Sequence, residues 1–294
     1  MTGLAVALAL LAALLLAVGS VAQRRAASGV PDDEAGGLGL LRRLVRSPTW
    51  WAGTVGDGGG FVVQAAALGV GSLLLVQPLL VTTLLFALPL EAATGGRRVT
   101  ARDAGWALVL AAALALFLVV GEPTAGEDRA PFAAWTPTGG VLVLVLVGCL
   151  VLAARRRGRV RAAALAVATG IAYGVLAALT KSVVDLLADG IVPLLLGWET
   201  WVLVAAAVGG TYLQQAAFQA GDLAITLPAI TVGEPLVAAL LGLTVLGERV
   251  RADGAKWVLI GLLVATAVLA TVVLARSSAT APGEDAVTAE PWKP

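Results

Sequence analysis

The sequence predicts an all-α protein, a polytopic membrane bundle of about nine transmembrane helices built on an inverted-topology internal repeat. Three observations lead there. Hydrophobic residues make up 59% of the 294 residues and charged residues only 13%, whereas soluble domains run near a half and a quarter. The apolar residues fall in uninterrupted stretches long enough to cross hydrocarbon as helices. Two of those regions also repeat each other. Sliding the chain by 150 positions pairs Gln64 with Gln214, Gly71 with Gly221 and Pro78 with Pro228, and a slide of 151 pairs Arg98 with Arg249 and Trp106 with Trp257. Ala, Leu, Gly and Val coincide easily in so biased a composition, so the Gln, Pro, Arg and Trp pairs carry the weight.

The spans are expected at about 3–22, 50–70, 72–90, 104–121, 138–154, 162–187, 198–219, 223–247 and 255–275. Span one lacks a basic leader and is followed at once by Gln23-Arg24-Arg25, the pattern of a retained helix rather than a cleaved signal. Between spans one and two, residues 26–47 read as a loop with an amphipathic piece near Leu38 to Val45. The transmembrane domain is thus expected over 1–276, with repeat one at about 50–121 and repeat two at about 198–275. A polar tail at 277–294, rich in Ala, Thr, Glu and Pro, is expected to be disordered.

Orientation follows from Lys and Arg in short loops. Arg24, Arg25, Arg42, Arg43 and Arg46 follow span one; Arg97, Arg98 and Arg102 follow span three; Arg155, Arg156, Arg157, Arg159 and Arg161 follow span five. These loops are expected to be cytoplasmic. The acidic segment Glu122 to Trp135 suits the outside. The expected protein is a multi-pass plasma-membrane protein with its N-terminus outside and its C-terminus cytoplasmic. Glu248 to Lys256 runs against the pattern, with three positive residues in a loop that the count puts outside. Five crossings separate the starts of the two copies. An odd number turns them upside down relative to each other, the arrangement from which alternating access follows.

The run Gly233-Glu234-Pro235 through Gly247-Glu248-Arg249 resembles the Glu-Pro to Gly-Glu-Arg signature of the drug/metabolite transporter superfamily, its EamA-like branch in particular. Leu88-Pro89-Leu90-Glu91 followed by Arg97-Arg98-Val99 looks like a decayed first copy. The nine-span layout, Trp50-Trp51-Ala52-Gly53, Thr180-Lys181 and Tyr212-Leu213-Gln214-Gln215-Ala216 are similar to the NIPA-type magnesium transporter branch. The chain departs from that branch in placing its acid at Asp57, with Gln64 as the amide, and in carrying Glu234 in span eight. The resemblance implies a secondary transporter of a small solute, with a NIPA-like path for Mg²⁺ or another divalent cation as the alternative. A non-transporting scaffold is a third reading.

Charges retained in hydrocarbon tend to face cavities, pair or act. Asp57, among Gly56, Gly58, Gly59 and Gly60, reads either as a solute ligand or as part of a Gly-rich packing seam. Gln64 lies two turns along the same face. Glu234 beside Pro235 predicts a local break with a polar patch that a coupled proton or cation could use, or else a structural kink. Lys181 is expected to pair with Glu234, to bind an anionic group, or to snorkel to the headgroups. Gln77 and Gln214 complete the candidate substrate-binding set. Pro78, Pro228 and Pro235 are candidate hinges.

Other chemistry is disfavoured. There is no His and a single Cys, Cys149, so neither a metal centre nor a nucleophile-base pair offers itself, and no cofactor or enzymatic activity is expected. A net charge of +1 gives no drive to bind nucleic acid. The expected partners are the lipid bilayer and the small-molecule or ion substrate, and a homodimer is an assembly the sequence permits. The tryptophans sit near predicted span ends, as interfacial anchors do.

Overall fold

The computed structural model describes residues 2–28, 46–93, 99–221 and 223–279. All regular structure in them is helical: α1 (Thr2–Ser28), α2 (Pro48–Val70), α3 (Leu73–Leu80), α4 (Thr83–Ala93), α5 (Ala101–Gly121), α6 (Phe132–Arg155), α7 (Gly158–Ala188), α8 (Ile191–Leu196), α9 (Trp198–Ala220), α10 (Leu223–Thr244) and α11 (Ala255–Ala279). Among the described residues seven helical segments are long and apolar enough to span a membrane, α3 and α4 counting together as one. The protein is therefore a multi-pass membrane-helix bundle. Helices α2 and α9 are 23 residues each and coincide with expected spans, but their Gly, Gln and Trp content leaves them outside the seven.

Helix starts are set by local chemistry. Ser47 caps α2 with Pro48 at its first position, Ser72 caps α3, and Thr100 and Asp103 form a reciprocal capping box on α5. Each satisfies amide groups that a helix start leaves without partners. Two expectations are corrected at the ends. Residues 277–279, assigned to a disordered tail, continue α11 as helix. Residues 26–28 continue α1, whereas the amphipathic piece at 38–45 and the tail at 280–294 lie outside the described residues.

The proline expectation is also corrected. Helix α10 runs unbroken through Pro228 and Pro235, so no break occurs at Glu234-Pro235. A break falls instead at Val81 and Thr82, just past Pro78. There the Thr82 and Thr83 hydroxyls donate back to the Leu79 and Leu80 carbonyls, a local bonding pattern that competes with the helical ladder.

The 31-residue α7 is the hub. It packs against α2, α6, α9 and α10, while α1 lies on α2 and α11 on α5 and α10. Small residues dominate its buried positions, among them Ala162, Ala166, Ala168, Gly170, Gly174, Ala177 and Ala178. Lipid tails are as apolar as a side chain, so close backbone approach rather than hydrophobic burial holds such helices together. The α1–α2 contact follows the same rule. Ala5, Ala9, Ala12, Ala13 and Ala17 are fully buried, and side chains built at Gly53, Gly56 and Gly60 would run into α1.

The bundle has two unlike ends. At one, the α5–α6 loop is bonded to the α10–α11 loop: Thr124 N donates to Arg249 O (2.8 Å), Glu127 N to Leu246 O (2.7 Å) and Arg251 N to Gly121 O (2.8 Å). Glu122, Glu127, Asp128, Glu199, Glu248 and Asp253 gather there. At the other, Ser277 Oγ near the end of α11 donates to Asp103 Oδ1 at the start of α5 (2.6 Å), and the end of α9 meets the start of α7 at Gly221 and Ala162. Arg25, Arg46, Arg102, Arg155, Arg156, Arg157, Arg159, Arg161 and Arg276 mark this arginine-rich end. The discordant loop 248–256 thus shares an end with the acidic loop 122–131.

Candidate functional site

Midway along the bundle α10 crosses α7 at a glycine contact. A Cβ on Gly170 would stand 3.0 Å from Gly233 Cα, and one on Gly174 would stand 2.5 Å from Val237 Cβ and 2.9 Å from the Glu234 carbonyl. Only glycine admits that approach, and it brings the next residue of α10, Glu234, against α7. Between the two glycines sits Tyr173. Its hydroxyl donates to Gln214 Oε1 on α9 at 3.0 Å, and its ring lies against Gly210. The Thr211 hydroxyl donates to the Ala207 carbonyl on its own helix at 2.8 Å. Of the expected ligands, Gln214 is bonded to Tyr173, a residue that sequence reasoning missed, and Glu234 lies on the helix that crosses α7 at the glycines flanking Tyr173. Tyr173 is one of only two tyrosines and lies inside a Gly-x-x-x-Gly spacing, which was a readable signal.

The other candidates lie elsewhere. Asp57 belongs to the α1–α2 seam, where Gln23 Nε2 donates to its Oδ2 at 2.7 Å. Gln64 is buried on α2, the helix that carries the seam. Gln77 is 1% exposed on α3, and its Nε2 has no acceptor among the described residues. Next to it, Pro78 joins Thr231 and Pro235 of α10 in lining a cavity of about 110 Å³ bounded by α3, α5, α10 and α11. Two of the three expected hinge prolines thus face one space, while Pro228 is buried in α10.

Lys181 is corrected most clearly. It does not pair with Glu234 and does not snorkel. Its Nζ lies 3.4 Å from Glu248 Oε1 and 3.3 Å from Asp128 Oδ1. The same Glu248 carboxylate accepts from the backbone N–H of Leu73 (2.7 Å) and Leu74 (2.9 Å), capping α3, where the helix dipole favours an anion. Nearby, Arg129 Nε donates to Glu199 Oε1 at 2.7 Å; this contact, with smaller help from Asp185 and Asp189, raises the Arg129 pKa above its ordinary value despite the opposing effect of desolvation. These groups are ion-paired at the acidic end, although Glu199 Oε2 has no hydrogen-bond partner among the described residues.

Glu234 contrasts with them, having no hydrogen-bond or ion-pair partner among the described residues. No group of three or more His, Cys, Asp or Glu residues that could hold a metal ion occurs among the described residues. The crossing can therefore offer the Glu234 carboxylate to a solute, with Tyr173 and Gln214 bonded to each other on the neighbouring helices.

Over 276 residues the chain is 37% identical to an uncharacterized protein of Corynebacterium glutamicum, covering 94% of this chain and 96% of the relative. The chain belongs to the family of that protein. The match takes in nearly the whole length, so the family shares the bundle rather than a fragment of it. No family model matches the chain, and no solved structure matches it.

Proposed function

We propose that the protein is a secondary transporter of the drug/metabolite type, moving a small solute across the plasma membrane by alternating access. The observation that carries this reading is Glu234, a carboxylate without a protein partner among the described residues, held at the glycine crossing of α10 over α7, the helix that carries Tyr173. Glu234 is half-buried, and a carboxylate without a partner is costly in a membrane; such residues mark solute or ion paths. The course of the chain lends support. Helix α2 runs from the arginine-rich end to the acidic end, and α9, which carries the equivalent residues, runs back. Repeats in that relation suit two halves that exchange conformations about a midplane site.

The arginine-rich end is assigned to the cytoplasm by the positive-inside rule, which puts the N-terminus outside and the C-terminus inside. Transport is favoured over catalysis because the chain has no His and its one Cys is Cys149 in α6. The divalent-cation alternative draws less support, since Mg²⁺ favours several oxygen ligands and Asp57 and Glu248 are already bonded within the protein. The test is flux into proteoliposomes over a panel of small solutes and Mg²⁺. Glu234→Gln is expected to abolish flux of the transported solute and Asp57→Asn to leave it measurable. Flux that survives Glu234→Gln unchanged would remove the proposed site, and flux of Mg²⁺ alone would favour the alternative.

A further inference from the structure

Helix α9 carries polar side chains on a face that no other part of the chain covers. It packs along its length on α7 and barely touches any other helix. Its inner face is well used: Gly210 meets the Tyr173 ring, Gln214 accepts from the Tyr173 hydroxyl, and Ala217 is fully buried. On the opposite face run Ala205, Val208, Tyr212, Gln215 and Gln219, all exposed. The Gln215 and Gln219 amides have no hydrogen-bond partner among the described residues.

Depth makes this arrangement unfavourable for a single bundle in lipid. Tyr173 is the middle residue of the 31 in α7, so Gln214 and its neighbour Gln215 lie near the middle of the bundle, where acyl tails offer an amide neither donor nor acceptor. The outward faces of α5, α6 and α11 carry aliphatic side chains instead, such as Leu108, Leu144 and Leu262.

Spacing and chemistry select the occupant. The steps along this face are three, four, three and four residues, which gives a straight seam with the 3.5-residue period of paired helices, about 21 Å long at the helical rise. Copies of one chain enter the membrane in the same orientation, so a twofold axis along the membrane normal sets α9 parallel to its equivalent, with each seam residue opposite itself. A charged side chain in that position would repel its own copy. Glutamine carries both donors and an acceptor, so two opposed Gln215 amides exchange two hydrogen bonds, and the face complements itself.

We propose that the outer face of α9 is a homodimer interface, on which two copies of this chain meet along the seam with their Gln215 amides bonded to each other. The interface lies on the side of α9 turned away from Tyr173 and stands independently of transport through Glu234. Membranes holding the full chain in a Cys149→Ser background are oxidised with copper phenanthroline. Ala205→Cys, Val208→Cys and Tyr212→Cys should each give a disulfide-linked dimer, while Leu144→Cys on α6 and Leu262→Cys on α11, at positions 73% and 61% exposed, should stay monomeric. Fluorophore-labelled protein reconstituted in liposomes at graded lipid-to-protein ratios, and counted by single-molecule photobleaching, should pass from monomer to dimer. Gln215→Leu alters only an exposed side chain and should raise the protein density at half-dimerisation about five- to tenfold, the effect of losing two interhelical hydrogen bonds. Cross-linking at Leu144 and Leu262 equal to that at Val208 would mean random encounter and overturns the proposal. So does a protein that stays monomeric at every ratio, which would leave the face to lipid or to a different protein, and so does a Gln215→Leu midpoint equal to that of the parent chain.

Discussion

Lys181 Nζ lies 3.4 Å from Glu248 Oε1, with the two side chains 1% and 0% exposed. Removing one member of such a pair strands the other, at a cost of about 3–5 kcal/mol. Glu248→Ala also takes the cap from α3, so it is expected to be the most destabilising single change at the acidic end. Glu248→Gln keeps an oxygen for the Leu73 N–H and should cost less. The Lys181→Met, Glu248→Gln double variant should cost less than the sum of its parts. Thermal unfolding of purified protein in detergent measures these three variants and the Lys181→Met single. Equal losses for Gln and Ala would show that the cap contributes nothing.

At the α7–α10 crossing the prediction is steric. Gly174→Ala forces a methyl toward Val237 and the Glu234 carbonyl, and overpacking of this kind costs about 1–3 kcal/mol. Gly139→Ala, which meets nothing, should be silent. Comparing the melting temperatures of the two variants separates a required close approach from a general intolerance of change.

Tyr173→Phe removes the hydrogen bond to Gln214 while keeping the ring against Gly210. Its effect on fold stability should stay near 1 kcal/mol, the usual worth of one such bond. Solute flux should fall by more than that stability change explains. A variant with normal flux would limit Tyr173 to helix packing.

Sidedness can be read in a Cys149→Ser background, since Cys149 is the one native cysteine. Glu127→Cys and Asp253→Cys, on the two loops bonded at the acidic end, should both react with a membrane-impermeant maleimide added to intact cells. Arg156→Cys should react only after permeabilisation. A split between Glu127 and Asp253 would contradict the Thr124–Arg249 bridge.

Hydropathy and length made most of the bundle legible. The repeat drew attention to α2 and α9, whose Gly and Gln content weakens their apolar signal. What could not be read was pairing. Lys181 and Glu248 are 67 residues apart in the chain, and Glu248 sits in a motif that suggested only a loop. Proline was likewise ambiguous. Pro78 precedes a break and Pro235 does not, because Thr82 and Thr83 supply rival hydrogen bonds after the first, and composition alone does not weigh that competition. Glu234 and Gln214 were found as intramembrane polar residues; the spacing of Gly170 and Gly174 signals a close approach, but not that the helix making it would be α10 at Gly233.

The alanine stripe of α1 bears on assembly. Alanine has no side-chain rotamers to freeze, so docking α1 onto the glycine face of α2 restricts almost no torsional freedom. In a solvent of acyl tails, where burying methyl groups gains little, that economy of disorder favours a hairpin that closes early and gives the later helices a preformed wall to settle against.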